Sequence, residues 1–181
     1  MTRYVAFLRS INVGGHTVKM DALKKSFEAL GFENVSTFIA SGNVIFETDS
    51  KKADVLEKKI ETALQKELGY EVATFLRTDK QVIEIAEHDA FPKEQAKDSD
   101  TRYVTFLRTA PDAATKKRVR ALSNDEDVLH LHGAEMYWLR RAGGLLGSTI
   151  STKQFEQAFD KQPTTARNLN TVQRLAAKLQ P

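Results

Sequence analysis

The chain has 181 residues, 41% of them hydrophobic and 28% charged, which excludes a disordered chain and allows one domain or two small ones with a real core. It has no cysteine, so disulfides, thiol catalysis and cysteine-based metal sites are excluded and a cytoplasmic address is expected. No apolar run approaches the roughly 20 residues that span a bilayer, so no membrane partner is expected, and a net charge of +3 is less than dedicated nucleic-acid binders concentrate on one face.

Residues 3–9 predict a strand whose Tyr4, Ala6 and Leu8 share one face and Val5 and Phe7 the other. Both faces are apolar, so both need cover. The phrase Arg3-Tyr4-Val5-Ala6-Phe7-Leu8-Arg9 returns as Arg102-Tyr103-Val104-Thr105-Phe106-Leu107-Arg108, 99 positions later, which points to an internal duplication. The Ala-Leu pair that ends each following helix, Ala29-Leu30 and Ala121-Leu122, recurs at an offset of 92. The first copy therefore carries seven additional residues between strand and helix, within Ile11 to Lys19.

Met20, Leu23, Phe27 and Leu30 predict a helix capped by Gly31. Residues 34–40 and 43–48 read as strands joined by a compact Ser41-Gly42 turn. A helix over 51–67, with Asp49 or Ser50 as N-cap, and a strand over 71–77 complete a βαββαβ order, that of the ferredoxin-like unit. A helix over 79–87 capped by Thr78 leads to a polar linker, 91–100, so the first half is placed at 1–90 and the second at 101–181.

The second half reads as a strand over 102–108, a helix with Pro111 near its first turn, a hairpin of 128–132 and 136–139 around Gly133-Ala134, and a helix over 152–159. No eighth strand is legible. After Pro163-Thr164-Thr165 comes a helix with a stripe of Leu169, Val172, Leu175, Ala176 and Leu179, and Arg167 and Asn168 fall in its first turn. The expected fold class is α+β, with tandem ferredoxin-like βαββα(β) halves, the second copy truncated and followed by a C-terminal helix.

The strongest candidate site is the loop Arg9-Ser10-Ile11-Asn12-Val13-Gly14-Gly15-His16 running to Lys19. Tandem glycines let backbone N–H groups approach an anion, and the helix that follows adds unpaired donors and partial positive charge. The plain alternative is a crossover whose glycines only make turns. Neither this loop nor Gly143-Gly144-Leu145-Leu146-Gly147-Ser148-Thr149 carries the lysine of a P-loop or the spacing of a dinucleotide loop. Arg167 opposes the dipole at a helix start, so it calls for an anionic partner, either a carboxylate of the fold or a ligand.

His130 and His132 share a strand face, where Glu135 could join them around a metal, but two histidines on a hairpin read first as a polar face, and no metal or cofactor is expected. Catalytic residues are not legible, since no Ser, His and acid spacing stands out. RNA-style base stacking is disfavoured because 43–48 holds one aromatic and an acid. The Lys116, Lys117, Arg118 and Arg120 cluster reads as a solvated helix face.

Arg9 to Gly15, Lys19-Met20 with Leu23, Phe38 to Phe46 containing Ser41-Gly42-Asn43, and Thr165-Ala166-Arg167-Asn168-x-Asn170-Thr171 together resemble the DUF1697 family of bacterial proteins of unknown function, over nearly the whole chain. The resemblance implies an α+β fold of ferredoxin-like halves and no established activity. The chain departs from the family pattern at Ser10, where a glycine is usual, and at Leu169, where a tryptophan is usual.

The expected function is binding of a phosphate-bearing anion, a small molecule such as a nucleotide or a nucleic acid. Arg9, Lys19 and Arg167 supply charge, Asn12, Ser41, Asn43 and Asn168 orient by hydrogen bonds, and Gly14, Gly15 and His16 form the loop surface. The alternatives are a small phosphate-directed transferase or hydrolase using His16, and a protein-interaction module whose polar motifs pin the two halves together.

Overall fold

The computed structural model describes all residues except 13, 40–41, 93–94, 142–147 and 181. Among the described residues the chain forms two four-stranded antiparallel sheets and six helices. The elements are β1 (Thr2–Leu8), α1 (Met20–Ala29), β2 (Glu33–Phe38), β3 (Asn43–Thr48), α2 (Ala53–Leu68), β4 (Thr74–Thr78), α3 (Asp79–Glu87), β5 (Thr101–Phe106), α4 (Ala113–Leu122), β6 (Asp127–His132), β7 (Glu135–Arg140), α5 (Thr152–Ala158), β8 (Thr165–Asn168) and α6 (Leu169–Leu179). The chain divides into two compact units, Met1–Glu84 with Leu175–Pro181, and Ile85–Arg174. That division falls within α3, and the segment expected as a linker, 91–100, belongs to the second unit.

In the first unit the sheet order is β2-β3-β1-β4. Tyr4, Ala6 and Leu8 of β1 pack with Leu23 and Phe27 of α1 and Leu56, Ile60 and Leu64 of α2, the face their alternation predicts. Val5 and Phe7, on the other face, are buried as well. Gly31 follows α1 at φ +81°, and its N–H donates to the Glu28 carbonyl at 2.9 Å. The N-cap of α2 is Lys52, which makes no side-chain cap, so neither Asp49 nor Ser50 has the expected role.

β4 is an edge strand, and α2 satisfies its outward backbone. Glu57 Oε1 accepts from the Leu76 amide at 2.9 Å, and Glu61 Oε1 accepts from the Thr74 amide at 2.8 Å. Two helix carboxylates thus occupy donors that would otherwise template pairing with another chain. At the far end of β4, Thr78 and Gln81 exchange side-chain and backbone hydrogen bonds in a capping box that starts α3.

The second sheet has the order β6-β7-β5-β8. Its core joins Leu129, Met136 and Trp138 of the sheet to Val119 of α4 and to Ala158 and Phe159 at the end of α5. The β6–β7 hairpin turns at Gly133, φ +59°, with His132 paired to Glu135 across it, as the sequence suggests. The expectation of a truncated second half is corrected by β8, which pairs antiparallel with β5 from Tyr103↔Asn168 to Phe106↔Thr165. Four residues without an alternating apolar pattern do not announce a strand; pairing to β5 makes one. Arg167 and Asn168 therefore lie on a strand and not in the first turn of α6. Pro111 directly precedes the Asp112 N-cap of α4, near the first turn as the sequence suggests.

One buried polar web organises this hairpin. Asp127 and Arg140, paired across β6 and β7, are each 1% exposed, with Arg140 Nε 3.1 Å from Asp127 Oδ1. Asp127 also accepts from the Trp138 indole at 2.9 Å, from the Thr149 amide and hydroxyl at 2.9 Å, and from the Ser148 hydroxyl at 3.2 Å. Burial raises the Asp127 pKa, but these hydrogen bonds outweigh burial and hold the carboxyl below its usual range.

Candidate functional site

Eleven residues, 9–19, separate β1 from α1, whereas six, 107–112, separate β5 from α4. The first loop is thus longer by five residues and not by seven, because β5 ends one residue earlier and α4 starts one residue later than the repeated phrases imply. The long loop leaves β1 between two backbone bonds: the Leu8 amide donates to the Gly42 carbonyl and the Arg9 amide to the Ala73 carbonyl, both at 2.8 Å. Ile11 then turns inward and is 2% exposed. It sits against the β2–β3 connection so closely that a Cβ on Gly42, φ +77°, would stand 2.5 Å from Ile11 Cγ2 and 3.2 Å from Leu8 Cβ. Only glycine fits there without a shift. The loop and Gly42 therefore pack together at one corner of the first unit.

Beyond Ile11 the loop is held by Asn12, whose Oδ1 accepts from the Val18 amide at 2.6 Å. Between them Gly14, Gly15, His16 and Thr17 are exposed, as are Arg9 and Lys19. Gly14 and Gly15 adopt φ of +66° and +87°, and a Cβ on either would meet nothing within 4 Å. The imidazole of His16 stacks on Tyr70, ring centroids 3.9 Å apart, and the Tyr70 hydroxyl donates to the Ile11 carbonyl at 3.5 Å. Lys19 is the N-cap of α1 and provides no side-chain cap, so the first amides of the helix are not satisfied in that way.

Two of the five left-handed non-glycine residues among those described lie at this corner. Ser10 at φ +58° and Ile39 at φ +52° hold left-handed conformations that cost side-chain-bearing residues, a β-branched one most of all. Such costs persist where the surroundings impose them, and they cluster at ligand clamps. Ser10 is the position where the family pattern has glycine, so the left-handed φ gives that pattern its physical reason.

The remaining predicted residues are distributed as follows. Asn43 is fully buried, and its Nδ2 donates to the Phe38 carbonyl at 3.0 Å, so it closes the connection from inside. Ser41 lies outside the described residues, as does the Gly143 to Gly147 run. Arg167 and Asn168 belong to the second unit. Arg167 is 8% exposed, its Nη1 donates to the Thr165 hydroxyl and the Ala166 carbonyl at 2.9 Å, and burial lowers its pKa to about 10. Asn168 Oδ1 accepts from the Asn170 amide at 2.9 Å, which starts α6.

Two features were not found from sequence. The Asp127 web joins residues up to 22 positions apart and has no periodic signal. The second is the approach of His88 to His130 and His132, where the sequence reading had offered Glu135 as the companion of the histidine pair.

Fold and loop together define a mixed α+β protein with an open, glycine-rich, cationic loop at one sheet corner. The chain belongs to the DUF1697 family, described as a protein of unknown function, whose model matches residues 1–137. The late Thr165 to Thr171 motif lies beyond that match. No curated protein matches the chain. Among solved structures it is similar to a conserved bacterial protein from Streptococcus pneumoniae, 23% identical over 99% of this chain and 98% of that one, with a TM-score of 0.73. That likeness concerns the fold alone.

Proposed function

We propose that the first unit binds a phosphate-bearing anion, such as a nucleotide or a nucleic-acid phosphate, on the 9–19 loop. The observation that carries this reading is the pair Gly14-Gly15, left-handed, exposed and open above both Cα atoms, flanked by exposed Arg9 and Lys19. Backbone N–H groups of such a pair can converge on an anion, and the α1 N-terminus behind Lys19 adds partial positive charge. Arg9 and Lys19 contribute charge, His16 a ring edge, and Asn12 and Asn43 hold the corner in shape. Arg167 and Asn168 are left out of this site because they belong to the other compact unit.

The same reading treats the two sheets as copies of one duplicated ferredoxin-like unit, supported by equivalent strand orders and by the repeated Arg-Tyr-Val-x-Phe-Leu-Arg phrase. The additional loop length then belongs to the copy that took on binding. A cytoplasmic setting is consistent with the absence of cysteine, and no described helix is long and apolar enough to cross a membrane.

The test is thermal unfolding with pyrophosphate, nucleotides and short single-stranded DNA, on the parent and on an Arg9→Ala, Lys19→Ala double variant. A ligand at about 100 times its dissociation constant adds about 2.7 kcal/mol, an upward shift that the double variant loses. No shift with any of these probes sinks the reading.

A further inference from the structure

The second unit gathers three of the chain's four histidines. His88 follows α3 directly, and His130 and His132 stand two residues apart on β6, on the face away from Leu129. One nitrogen from each ring lies within 4.8 Å of the others, and His88 Nε2 is 3.4 Å from His130 Nε2. A tetrahedral ion with metal–nitrogen bonds of about 2.0–2.1 Å sets its donors about 3.3–3.4 Å apart. The His88–His130 pair already spans one edge of such a tetrahedron. His132 now stacks on His88, centroids 4.0 Å apart, and must turn about its side-chain torsions to aim at the same point. It is exposed, so a change of rotamer displaces little.

The floor of the cluster is rigid. Tyr137, paired with His130 in the β6–β7 register, is 1% exposed, lies 4.9 Å from the His88 ring, and donates its hydroxyl to the Ile85 carbonyl at 3.0 Å. This ties the segment that carries His88 to the strand pair that presents the other two rings. Burial, and then the neighbouring imidazoles, hold the pKa of His88 and of His130 below the ordinary value, which favours the neutral, ligating form.

We propose that His88, His130 and His132 bind one first-row divalent cation, zinc by preference, with water completing the coordination. Three neutral nitrogens suit zinc and its neighbours, whereas magnesium and calcium require oxygen ligands. Three protein ligands with an open fourth position are the arrangement of reactive rather than closed structural zinc sites. His88 also lines a cleft of about 750 Å³ together with Lys97 and Arg102, so an ion held by His88 lies at the margin of a space that a ligand could enter.

The experiment uses tag-free full-length protein stripped with a chelator and titrated calorimetrically with zinc, then with cobalt while visible absorption is followed. The expected result is one zinc per chain, intense cobalt bands of a tetrahedral nitrogen site, and no heat with magnesium. His132→Ala and His88→Phe, the second of which keeps a ring over Tyr137, should each weaken zinc by more than about 100-fold, beyond what losing an outer partner costs. His16→Ala should leave affinity unchanged, and circular dichroism of each variant confirms folding. Absence of zinc binding overturns the proposal. So does binding that survives His88→Phe, since the ion would then sit on the hairpin pair alone.

Discussion

The corner after β1 and the corner after β5 follow equivalent strands and are finished in opposite ways. After β5 the chain reaches α4 in six residues, and Asp112 caps that helix by accepting from the Thr115 amide at 2.7 Å. That hydrogen bond, with the Thr115 hydroxyl second, holds the Asp112 carboxyl below its usual range. After β1 the chain takes eleven residues, leaves α1 without a side-chain cap, and places a lysine where the other corner has an aspartate. A helix start that supplies its own carboxylate has no call for an external anion, and one that offers a lysine does. The contrast is one of a helix start with a side-chain cap against one without, which is the physical content of proposing the first corner as a site.

Substitutions at four positions break or sharpen that contrast. The largest effect is expected at the buried ion pair of the second unit: Asp127→Ala leaves Arg140 buried and uncompensated and should cost about 3–5 kcal/mol in chemical denaturation. The accompanying pH test has a definite sign. Because the folded pKa of Asp127 is lowered, its contribution is complete above the ordinary carboxylate range and is lost as pH falls through the folded value. Asp127→Asn should therefore flatten the acid limb of a stability–pH curve; an unchanged limb would mean that other carboxylates govern acid unfolding.

Next comes Gly42→Ala, which forces a methyl group against Ile11 at a left-handed φ and should cost about 1–3 kcal/mol. If the 9–19 corner is a ligand site, the same change should also weaken phosphate binding, because it pushes Ile11 of the loop away from residue 42. Lys19→Asp is the most direct exchange between the two corners. It installs at α1 the cap that α4 has, so stability should rise by about 1 kcal/mol while the thermal shift with pyrophosphate disappears. A rise in stability with binding retained would remove the helix start from the site. The smallest effect is Ser10→Gly, which relieves a left-handed serine and should raise the unfolding free energy by less than about 1 kcal/mol, since glycine gives back part of the gain in unfolded-chain entropy.

Much of the first unit was legible because its signals are local. Alternation in residues 3–9 separated Tyr4, Ala6 and Leu8 from Val5 and Phe7, and all five are buried. The helical spacing ending at Gly31, the Thr78 cap and the Gly133 turn are each short-range patterns with a backbone cause. The longer loop was visible as an offset between repeated phrases, which gives seven residues where the element bounds give five, and its two glycines stand open.

The amino-acid sequence alone determined the two strand-rich halves, most helices and the loop that distinguishes one half from the other, because periodicity and turn chemistry act over a few residues. Tertiary structure alone decided that 165–168 is a strand, since its hydrogen-bond partners come from β5. It alone brought Ile11 under Gly42, closed Asp127 on Arg140 and Thr149, and carried His88 to a hairpin 42 residues away. Those arrangements depend on pairing and packing between distant segments, and no local preference of any one residue encodes them.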